Sequence, residues 1–187
     1  MSAEHGSDNS SIMKIALNLT ATCFISGAII AATFFVTNPI AKVKAVEMQK
    51  ESMQALVKDA DNFKPIEGKD NWFAAEKGGK TIAYVVPGET KGYGGAVVLL
   101  VAVDTEGKVI DYTCTKHNET PGLGDKATKS PFKDQFVGKT SDQLVVTKDA
   151  SNTENIQAMT GATISSKAFT KAVKQAVDEV MEFEGGK

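Results

Sequence analysis

The sequence predicts an α+β protein in which a single N-terminal transmembrane helix precedes a domain with an antiparallel sheet and flanking helices. Three observations predict it: an uncharged apolar run over 15–36, β-type segments joined by a hairpin signal between 81 and 116, and an amphipathic pattern over 165–183. With 187 residues, the chain has room for one ordinary domain plus an appendage.

The composition excludes several classes of protein. A formal net charge of −2 lacks the basic excess of nucleic-acid-binding proteins, and 24% charged residues do not describe a disordered chain. Two Cys and two His are too few for a disulfide scaffold or for a zinc or iron–sulfur site. All 21 basic residues are lysines, so a bound phosphate must be held by lysine, hydroxyl or backbone N–H groups.

The first element is the predicted transmembrane helix, residues 15–37, which follows a short N-terminal segment, residues 1–14. A helix over the uncharged run 15–36 reaches about 33 Å, enough for a hydrocarbon layer of roughly 30 Å. A cleaved signal peptide is the alternative, but the run exceeds the usual length of about 7–15 residues and no A-x-A site follows it. The lysines flanking the run differ too little in number to fix the orientation.

The next elements are a stalk and a domain. Asn38 and Pro39 predict a helix start, and apolar residues at helical spacing predict an amphipathic stalk helix over 38–63 that docks on the domain of residues 64–187. Within that domain the pattern predicts strands over 81–86, 96–103 and 109–116, a breaker at Pro87-Gly88, and a turn at 104–107. A further short strand is predicted over 143–147 and a helix over 165–183.

Residues 159–166, MTGATISS, lead directly into this last helix. Hydroxyl groups cluster here, and the first turn of a helix offers free N–H groups and a positive dipole end to a phosphate. Ordinary helix capping by Ser or Thr explains the same residues. The residues alone leave both interpretations open, although the P-loop pattern is absent.

Two other glycine-rich stretches stand beside predicted strands. Residues 117–125, HNETPGLGD, follow a strand, and residues 92–95, GYGG, precede the long apolar one. In the first of these stretches, Pro and Gly favour a rigid turn with little side-chain bulk, and by physical argument alone it is an ordinary connection between strands.

These stretches resemble one known family. The segment Thr160 to Ser165 is similar to the flavinylation motif [ST]-G-A-T-x-[ST] of the FMN-binding domain family. The E-T-P-G-L-G and G-Y-G-G segments resemble those of the G subunits of Rnf electron-transport complexes and of the related C subunits of sodium-translocating NADH:quinone reductases. The short chain, without larger insertions, is more similar to the G subunits.

The resemblance implies a covalent FMN joined by a phosphoester bond to Thr163 and acting as a one-electron relay, with no catalytic residue and no metal site of the chain itself. It implies phosphate contacts from Thr160, Gly161, Ala162, Ser165 and Ser166. The loop that lies beside the flavin ring would consist of Glu119, Thr120, Pro121, Gly122, Leu123 and Gly124. Lys167 is interpreted as a surface residue, Cys114 as a packed thiol, and Trp72, Phe132 and Phe136 as core.

The resemblance also implies partners and a location. The partners are a flavin transferase acting on FAD and the other Rnf subunits, including a second flavin-bearing membrane subunit, in a complex that couples ferredoxin and NAD redox chemistry to sodium or proton transport. The flavin domain would lie on the extracytoplasmic side of the cell membrane. Two alternatives stay open: a stand-alone tethered flavoprotein serving an exported reductase, and a non-redox assembly subunit whose motif is only a helix cap.

Overall fold

The structure, a computed structural model, describes the backbone of residues 7–186 and the side chains of these residues except 7–11, 39–43, 45 and 46. The first helix, α1, is Ser7–Leu56. Within it, Ile12–Asn38 has a mean hydropathy of 2.0 and is long and apolar enough to cross a membrane. Residues 7–14, predicted to lie outside the helix, already belong to it, and residues 1–6 of that predicted segment lie outside the described residues.

The predicted helix start at Asn38 and Pro39 is wrong, because α1 continues through both residues. Pro removes one intrahelical hydrogen bond, but the helical segments on either side continue the same helix. The predicted end of the stalk at 63 is also too late. α1 ends at Leu56, and the Asp- and Asn-rich segment after it, which favours turns over helix, leads into a strand that begins at Asn62.

A five-stranded antiparallel sheet forms the centre of the second compact unit, which begins at Gln49 rather than at the predicted residue 64. Its strands follow chain order across the sheet: β1 Asn62–Pro65, β2 Phe73–Lys77, β3 Lys80–Lys91, β4 Ala96–Asp104 and β5 Val109–Lys116. The three predicted strands correspond to β3, β4 and β5, whereas β1 and β2 were not predicted from the sequence. The predicted turn after β4 is present, with Gly107 at φ +80°.

The predicted breaker at Pro87-Gly88 is wrong, because β3 continues to Lys91. Pro87 pairs with Leu100 and Gly88 with Leu99 on β4. The glycine has a packing role, since a Cβ at this position would lie 2.6 Å from the carbonyl oxygen of Ala172. Gly88 therefore lets the last helix lie against the strand.

That helix, α2, is Thr163–Gly185, longer at both ends than predicted. Before it come 3-10 turns at Gly124–Thr128, Lys133–Phe136 and Ser141–Gln143, and a parallel pair of short strands, β6 Val146–Thr147 and β7 Ile156–Gln157. β6 lies inside the predicted strand 143–147.

Two apolar layers cover the two faces of the sheet. One face contacts α2, and its core includes Trp72, Phe132 and Phe136, as the sequence indicated. The other face contacts the end of α1 through Met53 and Leu56. The strand residues on this face include alanines with no exposed surface, at 75, 83 and 102.

Candidate functional site

The first turn of α2 supplies the centre of the site. Thr163 is the first helical residue and is half-buried. The first helical hydrogen bond is donated by the N–H of Ser166 to the carbonyl of Ala162, over 2.9 Å. The N–H groups of residues 163–165 therefore precede the helical ladder and are available to an anion, at the positive end of the helix dipole. No acidic residue lies in this first turn.

A tight turn places Thr163 at the surface. Gly161 adopts φ +77°, which only glycine adopts without strain, and the N–H of Ala162 donates to the carbonyl of Met159 over 3.1 Å. Gly161 and Thr160 are exposed, whereas the small Ala162 side chain is buried. The G-A pair therefore turns the chain sharply and begins the helix.

The side chains of Ser165 and Ser166, which the sequence predicts to contact a phosphate, are both buried. The Ser166 hydroxyl donates to the carbonyl of Ala162 over 2.9 Å and accepts the N–H of Met159 over 3.0 Å. The Ser165 hydroxyl donates to Glu119. Both hydroxyls are thus occupied by partners within the protein. The other two hydroxyl residues of the motif are Thr160, which is exposed, and Thr163, which is half-buried.

Glu119, predicted to lie beside the flavin ring, has a buried side chain. Its side chain is 4% exposed and lies between the motifs: Oε1 accepts the N–H of Gly94 over 3.1 Å, and Oε2 accepts the Ser165 hydroxyl. Its own N–H donates to Nδ1 of His117 over 3.2 Å. The structure therefore brings all three glycine-rich stretches together, but through a carboxylate that points inward.

The loop of residues 120–123 is exposed, whereas Gly124 is buried. The loop closes on itself, because the N–H of Leu123 donates to the carbonyl of Thr120 over 3.1 Å. A Cβ on Gly161 would lie 3.5 Å from Cδ2 of Leu123, so this loop lies directly against the turn that precedes Thr163.

Each of the three stretches also exposes one large apolar side chain. Tyr93 is 70% exposed, Leu123 45% and Ile164 56%. Each is the immediate chain neighbour of a residue that packs against the Glu119 side chain, namely Gly94, Gly124 or Ser165. Sequence reasoning did not single out Tyr93 or Ile164. Their signal in the sequence is a large apolar side chain within a glycine- or hydroxyl-rich segment.

The surroundings of Asp125 and Cys114 shift the pKa of each group. Desolvation acts to raise the pKa of Asp125, but hydrogen bonds from Lys129 and from the N–H of Gly122 hold it below its usual range. Burial raises the pKa of the Cys114 thiol, which lies on β5. Among the described residues there is no group of three side chains suited to a metal ion. Lys167 is exposed on α2.

Comparison with known proteins places this arrangement in context. A family model described as FMN-binding domain matches residues 92–178, a range that contains all three stretches. The G subunit of the proton-translocating ferredoxin:NAD(+) oxidoreductase complex of Clostridium ljungdahlii is 60% identical, over 96% of this chain and 97% of that protein. The G subunit of the ion-translocating oxidoreductase complex of Methanosarcina acetivorans is 30% identical, over 96% and 100%. The G subunit of the Na(+)-translocating ferredoxin:NAD(+) oxidoreductase complex of Acetobacterium woodii is 31% identical, over 89% and 90%.

Solved structures share the fold. NqrC of Shewanella oneidensis superposes with a TM-score of 0.52 at 19% identity, over 70% of this chain and 74% of that one. The C subunit of the Na(+)-translocating NADH-quinone reductase of Parabacteroides distasonis gives 0.52 at 21% identity, over 62% and 63%.

Proposed function

Because the chain belongs to the family of G subunits of ion-translocating oxidoreductase complexes, we propose that it carries FMN on Thr163 and relays electrons within such a complex. The FMN-binding domain and the electron-transfer role follow from the family. This proposal adds three parts: the covalent bond between FMN and Thr163, the formation of that bond by a transferase, and the side of the membrane on which the domain lies.

The observation that carries the proposal is the position of Thr163. Its hydroxyl group is on the first residue of α2, next to the N–H groups of residues 163–165. These donors suit a phosphodiester, which keeps one negative charge, and they serve in place of the arginine that the sequence lacks. The residues present therefore fit a flavin phosphate.

The exposed apolar side chains fit the rest of the cofactor. Leu123 lies against the turn before Thr163, Ile164 directly follows Thr163 in the chain, and Tyr93 belongs to the glycine-rich stretch of residues 92–95. FMN supplies the redox chemistry when bound, and the protein supplies position and environment. We call these three side chains, Tyr93, Leu123 and Ile164, the apolar rim. Because the apolar rim is exposed, a covalent bond is what keeps the cofactor in place, and the same exposure gives a partner subunit access to the cofactor.

The attachment is proposed to need a separate flavin transferase that uses FAD. The Thr163 oxygen forms a bond to the phosphorus of the FMN half, the bond from that phosphorus to AMP breaks, AMP leaves, and the hydroxyl proton is released. The backbone N–H groups of the first turn are placed to stabilise the negative charge on the phosphoryl oxygens.

The chain acts within an assembly. We propose that the other Rnf subunits, including a second flavin-bearing membrane subunit, exchange electrons with it, and that it has no complete activity alone. A relative named for proton translocation matches 96% of this chain and one named for sodium translocation matches 89%, so the complex is proposed to couple ferredoxin and NAD chemistry to one of these ions. The domain is proposed to face the extracytoplasmic side, with α1 as a single-pass anchor.

Two threonines of the motif give a matched test of the attachment site. The full chain is produced in cells that supply a flavin transferase and is examined by flavin fluorescence in a denaturing gel. Thr163→Ala is expected to lose the fluorescent band, whereas Thr160→Ala, which removes an exposed hydroxyl three residues away, keeps it. A band that persists in Thr163→Ala would place the bond on another residue.

A further inference from the structure

The carboxylate of Glu119 is the point at which the three glycine-rich stretches meet. It accepts one hydrogen bond from the N–H of Gly94 and another from the hydroxyl of Ser165, in the first turn of α2. A buried carboxylate loses its hydration and is retained only when such donors replace it. Glu119 therefore ties two loops to the helix start that carries Thr163.

Glycines make room for this carboxylate. A Cβ on Gly124 would lie 2.7 Å from Oε2 of Glu119 and 2.5 Å from the Ser165 oxygen, and a Cβ on Gly92 would collide with Oε1. A Cβ on Gly94 would overlap the carbonyl of Asn118, the residue before Glu119. Gly122 does not make room for the carboxylate, since a Cβ there would meet nothing within 4 Å. The reason for a glycine at this position is its φ of +77°, which other residues rarely adopt. The G-Y-G-G and G-L-G patterns thus allow close packing around Glu119.

We propose that Glu119 is a positioning residue, which holds the loops of residues 92–95 and 119–124 against α2 so that Thr163 and the apolar rim keep one geometry for the flavin. It acts through Ser165 and Gly94 rather than through contact with the cofactor. The proposal rests on the proposed function, because it concerns the site at Thr163.

Four variants of the full chain test this role. Glu119→Ala leaves both donors without an acceptor. Glu119→Gln keeps the shape, because its amide oxygen accepts the Gly94 N–H and its NH₂ group donates to the Ser165 oxygen. Ser165→Ala removes one of the two bonds. Thr170→Val is the matched control, since it removes a buried α2 hydroxyl that donates to the Ser166 carbonyl over 2.8 Å, within its own helix.

Two measurements separate positioning from stability. The first is the initial rate at which purified chain is loaded with FMN by a flavin transferase and FAD, below the unfolding midpoint of each variant. The second is the fluorescence anisotropy of the loaded flavin. We expect loading of Glu119→Ala to be about tenfold slower, with lower anisotropy because the ring is less restrained. Ser165→Ala is expected to change in the same direction, whereas Glu119→Gln and Thr170→Val stay within about threefold of the wild type.

The outcomes distinguish this proposal from the function on which it rests. If the wild type takes up no FMN, the attachment to Thr163 fails. If the wild type is loaded and Glu119→Ala matches it in rate and anisotropy, the positioning role is overturned. The role is also overturned if Glu119→Gln is as slow as Glu119→Ala, since charge rather than geometry would then be required. Ser165→Ala decides the question by the same criteria if Glu119→Ala does not fold.

Discussion

Hydroxyl residues at the start of α2 differ in burial. Those of Ser165 and Ser166 are hydrogen-bonded inside the protein, whereas Thr160 is exposed and Thr163 is half-buried. Thr160 lies in the turn before the helix, and Thr163 is the first helical residue. Thr163 is therefore the partly exposed hydroxyl residue that lies beside the N–H groups that precede the helical ladder.

The structural role of Ser166 gives a prediction at this scale. Ser166→Ala removes the acceptor of the partly buried Met159 N–H and leaves the buried site without its hydroxyl, and an unpaired buried donor costs about 1–3 kcal/mol. The free energy of unfolding, measured by denaturant titration, should fall by that amount. Thr160→Ala serves as the control and should change it by less than about 0.5 kcal/mol. If the free energy of unfolding fell equally in the two variants, the assignment of the Ser166 hydroxyl to the protein interior would be contradicted.

Cys114 gives a prediction of pH dependence. Burial raises the pKa of its thiol, and only the thiolate reacts with iodoacetamide, so its alkylation should begin at a higher pH than that of a free thiol of pKa about 8.5. A Cys23→Ser chain isolates the signal, and the rate is followed by mass across pH 7–10. A rate profile that coincides with that of glutathione would show that the thiol is not shielded.

At the scale of elements, the strands that the sequence predicted are those with long β-branched runs. The sequences of β4 and β5 are apolar or alternate between apolar and polar residues, so their hydrophobic pattern and the hairpin turn between them identified both strands. β1 and β2 are short and contain Lys, Pro and Ala, which carry little strand preference, and only pairing with β3 makes them strands.

Gly88 shows why a local rule failed. Pro followed by Gly signals a turn, yet here the glycine lies in β3 because α2 occupies the space of a side chain. Gly88→Ala should lower the free energy of unfolding by about 1–3 kcal/mol through overpacking. Gly185→Ala, whose Cβ would meet nothing within 4 Å, is the control and should change it by less than about 0.5 kcal/mol. A tolerated Gly88→Ala would show that α2 can move away from the strand.

The candidate site was predictable in part. Each of the three stretches was recognisable by its composition, and the structure brings them together. The direction of Glu119 was not predictable, because a carboxylate in an exposed-looking loop gives no sign in the sequence that its partners are Gly94, distant in the chain, and Ser165 on the last helix. Such long-range pairs arise from the packing of α2 on the sheet.

At the scale of the whole molecule, the chain joins an apolar helix to a sheet domain. The average composition describes neither part: Ile12–Asn38 is long and apolar enough to cross a membrane, and the sheet domain carries the charged residues of a water-exposed surface. A subunit of a membrane complex that transfers electrons needs both kinds of surface. The lack of arginine is consistent with a phosphate held by a covalent bond and by backbone donors.

The mass of one peptide tests the central claim most directly. Trypsin releases residues 149–167, which contain Thr163, from chain produced in cells that supply a flavin transferase. We predict that this peptide carries the added mass of one FMN less one water, and that fragmentation places it on Thr163. An unmodified peptide from a chain with intact membrane assembly, or an FMN on any other residue, would contradict the account.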